Sequence, residues 1–178
     1  EKFRVFTEFL NRRGIPLVML SNAPGFVPGT RQERLRIQAI GGESLDANVL
    51  GEIPVLSVVL NQNYGGRQIH AFSKFLRPGI AYIALERAHV AVMGGQAAYD
   101  LFEGTRHAAL LAASDEAGAR ENHASFMAKF DAKSRASGDA QNSGLLDWAV
   151  ERPAALREHL LRGMNTARER ARTACGDG

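Results

Sequence analysis

The chain has 178 residues, 45% of them hydrophobic and 23% charged, with a formal net charge of +3. That length supports one domain with a real core, and the composition is that of an ordinary globular protein rather than a disordered or fibrous one. No apolar run approaches the roughly 20 residues needed to span a membrane, the opening residues lack the pattern of a secretory leader, and a single cysteine, Cys175, can build neither a disulfide framework nor a cysteine metal site. A cytoplasmic protein with no membrane partner is therefore expected. The basic residues gather mainly in "RGMNTARERARTA", where no aromatic side chain is interleaved. That run reads as a solvated helix face, so nucleic acid is not an expected partner.

In chain order, "KFRVFTEFLNRRG" predicts a helix with Phe3, Phe6, Phe9 and Leu10 on one stripe and Gly14 as its stop. "IPLVMLSN" has the length of a strand and ends in the turn residues of "APGFVPGT". "RQERLRIQAIGGESLDANVLGE" is mostly helix-forming, with an interruption expected at Gly41 and Gly42. "IPVLSVVLN" repeats the first strand pattern and runs into "QNYGGRQ". "IAYIAL" and "HVAVMGG" read as short strands, and "GQAAYDLFEG" as a helix opening on Gly94 and Gly95. A helical region follows from about Arg106 to Arg135, then a loop, "ASGDAQNSG". "LLDWAV" is a last strand, and a final helix has Pro153 near its first turn. Strands alternate with helices, which predicts an α/β fold in one domain, residues 1–178, with a disordered tail from about 170 to 178.

The usual catalytic constellations are missing from this pattern. The five histidines, His70, His89, His107, His123 and His159, show no metal spacing, so no metal is expected. There is no Gly-x-Ser-x-Gly elbow, and "NYGGRQ" lacks the lysine and spacing of a phosphate loop. His70, beside the glycines, reads as a packing or surface residue. What remains is the backbone. Three predicted strand ends run into small-residue loops, "NAPGFVPG", "NYGGRQ" and "VMGGQ", and the ends of parallel strands lie side by side. Any one of them could be a plain turn. Together they suggest peptide N–H groups that a substrate oxygen approaches closely, the arrangement that stabilises an oxyanion.

At these loops the sequence resembles the carboxyltransferase component of biotin-dependent acyl-CoA carboxylases, of the propionyl-CoA and acetyl-CoA carboxylase beta-chain type. The likeness is to its C-terminal, biotin-facing half, a member of the crotonase superfamily. The segments that carry it are "GIPLVMLSNAPGFVPGTRQE", "IPVLSVVLNQNYGGRQIHAFSK", "AVMGGQAA" and "SGLLDWAVERPAALREHL", in the family's order, from Glu1 to about Arg168. The resemblance implies a crotonase-like spiral of strands and helices. It implies transfer of CO2 from carboxybiotin, held on a separate carrier protein, to the alpha carbon of an acyl thioester carried by CoA or acyl carrier protein. Residue by residue, it gives the amides of Gly66 and Arg67 as an oxyanion hole, with Tyr64 and Gly65 in the same loop. Pro24, Gly25 and Phe26 form a wall beside it, and Met93, Gly94 and Gly95 a further loop near the site. It also implies a second polypeptide supplying the CoA-binding half, an oligomer, and first strands that are absent from this sequence.

The sequence departs from the family at Arg67, usually alanine, at Gln68, usually aromatic, at Asn22 and Ala23, where an aspartate is common, and at "IALE" in place of "LAWP". Arg67, whose guanidinium could bind a substrate carboxylate, points to a second reading, a biotin-independent decarboxylase or other acyl-transfer enzyme for malonyl-type thioesters; a third is a non-catalytic scaffold half.

Overall fold

The computed structural model describes residues 1–27 and 29–175, with the side chains of all of these but 139, 140 and 175. Its centre is a parallel sheet in the order β1-β2-β3-β5, formed by Leu17–Ala23, Val55–Tyr64, Ile80–Leu85 and Trp148–Val150. The fifth strand, β4, His89–Ala91, pairs with β2 and not with β3. β2 is long enough to serve two neighbours in turn: Val55–Val59 pair with β3, and Gln62–Tyr64 with β4. Its first five residues are all buried, which is why "VLSVV" reads as a continuous run instead of an alternation.

Helices cover both faces. Leu56, Val58, Ala81, Ile83 and Val150 pack under α7, Leu156–Cys175, through Leu160, Met164 and Ala167. Gly163 lets this helix lie close, since a Cβ there would sit 2.5 Å from Leu56 Cδ1. On the other face, Val55, Leu17 and Ile80 meet Phe72 and Leu10 of α1, Lys2–Arg13. A further cluster, around Val59, Tyr82, Val90 and Leu146, lies toward the carboxyl ends of the strands.

Several local expectations need correcting. α1 stops at Gly14 in the left-handed conformation as expected, but it buries Thr7 and Leu10 with Phe3 partly covered, while Phe6 and Phe9 are about half exposed. The second helical region breaks between α2, Thr30–Arg34, and α3, Ile37–Val49, at Arg36 with φ 59°; α3 runs straight through Gly41 and Gly42. Helix propensity loses only about 1 kcal/mol per glycine, which the packing of α3 against α1 overrides. The long region after Gly95 is two helices, α5, Gly95–Ala112, and α6, Glu116–Ser134, joined where the Asp115 side chain caps the Gly118 amide at 2.8 Å. The expected loop begins as an irregular helical turn, residues 136–140. The disordered tail is corrected as well: α7 continues to Cys175, and residues 176–178 lie outside the described ones. Among the described helices none is long and apolar enough to cross a membrane.

Candidate functional site

The sharing of β2 between β3 and β4 decides where the small-residue loops go. At its carboxyl end β2 has β1 on one side, with Ala23 opposite Asn63, and β4 on the other, with Tyr64 opposite Ala91. The loops leaving β1, β2 and β4 therefore emerge side by side, as the sequence predicts. A Cβ on Gly25 would lie 3.6 Å from the Tyr64 carbonyl oxygen, and one on Gly94 would lie 3.5 Å from the Tyr64 ring. Gly66 in α4, Gly66–His70, comes as near to the Phe26 ring, at 3.6 Å. Tyr64 is thus the pivot of the three loops. Burial, and secondarily the charge of Asp131, raise the pKa of its phenol, so it stays neutral at physiological pH.

Within the β2 loop the amides have different fates. Gly65 donates its N–H to the Ala91 carbonyl at 3.0 Å and so completes the ladder with β4. To do this it adopts φ 61°, ψ −148°, where a Cβ would stand 3.1 Å from the Val92 carbonyl. The chain then turns sharply into α4. The next two amides, those of Gly66 and Arg67, open that helix and donate to no acceptor among the described residues. Gly66 is exposed and fronts a cleft of about 620 Å³, with Gly65, Ile69, Phe75, Val92 and Leu145 in its walls. A free donor in the wall of an apolar cleft, with a second free donor next to it in sequence, can hold an anionic oxygen.

Other residues singled out in the sequence are placed differently. The Arg67 guanidinium lies over the Phe3 ring, 5.7 Å from its centroid, and is not in the cleft wall. Burial lowers its pKa from that of a free arginine. His70 packs edge-on against Phe26 at 5.1 Å, and burial, with the nearby Arg67 charge, lowers its pKa, so it is a neutral packing residue as read from the sequence. Gly95 faces away from the loops. A Cβ there would meet Met127 and Phe130 of α6 at 2.8 and 2.9 Å, so its bareness serves helix packing. Pro24 and Met93 follow the ends of β1 and β4, on the same edge as Gly66.

Two polar networks hold this edge in place. Ser21 Oγ donates to Asn63 Oδ1 at 3.2 Å, and Asn63 Nδ2 donates to the Tyr82 hydroxyl at 3.0 Å, a chain across β1, β2 and β3 just where the β1–β2 register shifts. Burial pushes the Tyr82 phenol up to about 12, against a smaller lowering from the Asn63 bond. Below it, the Asp147 carboxylate accepts the Tyr82 amide at 2.8 Å and both Arg170 nitrogens at 3.0 and 2.8 Å, with Lys74 Nζ at 3.4 Å. Burial alone would raise the Asp147 pKa. The Arg170 and Tyr82 hydrogen bonds and the charges of Arg170 and Lys74 outweigh it and hold the carboxyl below its ordinary value. Lys74 also donates to the Leu146 carbonyl at 3.1 Å, which fixes the Leu145 wall of the cleft against the segment after α4. Sequence reasoning missed Leu145, Phe75 and the Asp147 network. The "SK" and "LDW" segments were the only signal, and they lie more than seventy residues apart.

A parallel sheet with helices on both faces and three small-residue loops at one strand edge defines a protein of the α/β class. Its family follows from comparison. The carboxyl transferase domain model matches residues 1–174, and the chain belongs to that family. It is 36% identical over 96 residues to the propionyl-CoA carboxylase beta chain of Roseobacter denitrificans, covering 54% of this chain and 19% of that one. With the biotin-dependent acetyl-/propionyl-coenzyme A carboxylase beta6 subunit of Mycobacterium bovis it shares 30% identity over 167 residues, 94% of this chain and 34% of that one. The crystal structure of transcarboxylase 12S, described in its hexamer assembly with hydrolysed methylmalonyl-coenzyme A bound, superposes with a TM-score of 0.79 at 26% identity. That match covers 95% of this chain and 31% of the other. The fold is the crotonase-like one that the resemblance implied. The chain spans about a fifth to a third of the length of these relatives.

Proposed function

We propose that the chain is the biotin-facing half of a carboxyltransferase, in which the Gly66 and Arg67 amides form an oxyanion hole for the ureido oxygen of biotin. The observation that carries this is the contrast within one loop. Gly65 spends its amide on the ladder, and the next two amides have no acceptor among the described residues, Gly66 standing in the cleft wall. The residues fit the group: bare N–H donors suit a ureido oxygen, and Ile69, Phe75, Val92 and Leu145 suit the apolar remainder of a biotin ring system. Carboxybiotin on a separate carrier protein supplies CO2 for the alpha carbon of an acyl thioester, carried by CoA or acyl carrier protein. This chain's residues bind and orient. Gly65 sets the turn, Tyr64 joins the three loops, Phe26 supports Gly66 with Pro24 and Gly25 in the same loop, and Gly94 flanks Tyr64 with Met93 preceding it. The thioester is held by a second polypeptide, or a further segment, packed across these loops in an oligomer. Phe26, Phe75 and Val92 support that reading, since they are 46%, 69% and 80% exposed around the glycines.

The decarboxylase reading drew on the Arg67 guanidinium as a substrate-carboxylate anchor, and its position over Phe3 lends that reading no support. Replacement of Gly66 by proline tests the proposal directly. Proline is tolerated at the first position of a helix and replaces the free N–H by a ring methylene. In an assembly with the CoA-binding half and the biotinylated carrier, kcat for carboxyl transfer falls by roughly 10²- to 10³-fold, as for loss of one oxyanion donor. Unchanged turnover, with the far-UV circular dichroism of the parent chain, eliminates the backbone mechanism.

A further inference from the structure

A second cleft, of about 690 Å³, lies on the other side of Val92, between β4 and the pair α5–α6. Its walls are Val92, Met93 and Phe102 on one side and Phe126 and Phe130 on the other, and its size falls within the range of small-molecule sites. Two of these side chains face water to an unusual degree, Val92 at 80% and Phe102 at 69% exposed. The α6 wall has a further regularity. Phe126, Lys129, Phe130 and Lys133 are spaced i, i+3, i+4, i+7, so aromatic rings and ammonium groups share one stripe. Both lysines border the cleft, and neither meets a carboxylate among the described residues. The acid between them in sequence, Asp131, pairs instead with Arg135 and with His89. Like charges four residues apart on a helix repel unless an anion joins them.

The cleft is also held open from behind. His89 Nδ1 and Ser134 Oγ share a hydrogen bond of 2.7 Å, His89 Nε2 stands 3.3 Å from Asp131, and the Ala136 amide donates to the Ala88 carbonyl at 2.7 Å. These contacts pin the end of α6 to β4, so the site is preformed.

We infer that this cleft binds the single apolar chain of an anionic amphiphile, with the chain against Val92, Phe102, Phe126 and Phe130 and its carboxylate between Lys129 and Lys133. The charge pattern favours this occupant over a neutral one, because an apolar wall needs no pair of unpartnered cations beside it. The site shares Val92 with the Gly66 cleft but uses neither the Gly66 nor the Arg67 amide. The test is calorimetric titration of the chain with dodecanoate below its micelle-forming concentration, with hexanoate and dodecyltrimethylammonium as comparison ligands. Dodecanoate binds saturably and one-to-one, while hexanoate and the cationic amphiphile do not. Affinity for dodecanoate drops about tenfold or more in the Lys129→Glu, Lys133→Glu double variant and in Phe102→Asp, each checked for retained helix content. Absence of saturable dodecanoate binding overturns the inference, as does equal binding of the cation or indifference to the lysine reversals. The last two outcomes would leave an apolar surface that another polypeptide covers.

Discussion

Gly65 shows how a single position can set both a ladder bond and a turn. It presents its amide to Ala91 and turns the chain into α4 at φ 61°, ψ −148°. An L-residue there is strained by about 1–3 kcal/mol, and its Cβ meets the Val92 carbonyl at 3.1 Å. Gly65→Ala is therefore expected to lower stability by that amount in urea unfolding. Gly66→Ala, whose Cβ would meet only the Phe26 ring at ordinary contact distance, should cost less than half as much. The glycine pair was legible in the sequence because a backbone requirement is written in the residue itself. The direction of the Arg67 side chain was not legible: its partner, Phe3, is sixty-four positions away and is brought near by packing of α1 on the sheet.

At the scale of elements, Asp147 ties β3, α7 and the segment after α4 to one carboxylate. Its folded pKa lies below the unfolded one. The stabilisation it gives is complete above the ordinary carboxylate value and is lost as pH falls through the folded value. Asp147→Asn should thus destabilise the chain by roughly 2 kcal/mol at neutral pH, the scale of hydrogen bonds to a charged group. It should also flatten the acid limb of a stability–pH profile measured by chemical denaturation. Tyr82 acts at the opposite limb. Its phenol stays protonated to about 12 in the fold but ionises near 10 when unfolded, so stability declines as pH rises between those values. Tyr82→Phe should remove that decline and, by orphaning the buried Asn63 amide, cost about 1–3 kcal/mol at neutral pH. The strands and helices that these residues join were mostly legible from periodicity. Their joints were not, since β5 is only three residues long and Asp147, read from the sequence as part of that strand, lies just before it.

For the whole molecule, the apolar residues around the glycine loops are more exposed than a finished surface would leave them. Phe75 contributes to the cleft yet is 69% exposed, and buries nothing whose loss would unfold the chain. Phe75→Asp is expected to leave the thermal midpoint within a few degrees and to weaken association with the proposed CoA-binding polypeptide at least about tenfold, read by sedimentation of the mixture. Equal association would place that contact elsewhere.

The sequence by itself determined the α/β alternation, the run of apolar residues that makes β2 a buried strand, the stop at Gly14, and the three glycine-bearing loops with Gly66 and Arg67 among them. These are properties of neighbours along the chain, set by side-chain period and by backbone freedom. The tertiary structure decided which face of α1 is buried, where α2 and α3 part, that α7 is ordered to Cys175, and that Gly95 serves α6 and not the site. It also decided that β4, and not β3, flanks the end of β2. That choice brings the Val92 loop beside Gly66 and creates both clefts, and it depends on register between strands some twenty-five residues apart, which no local pattern encodes.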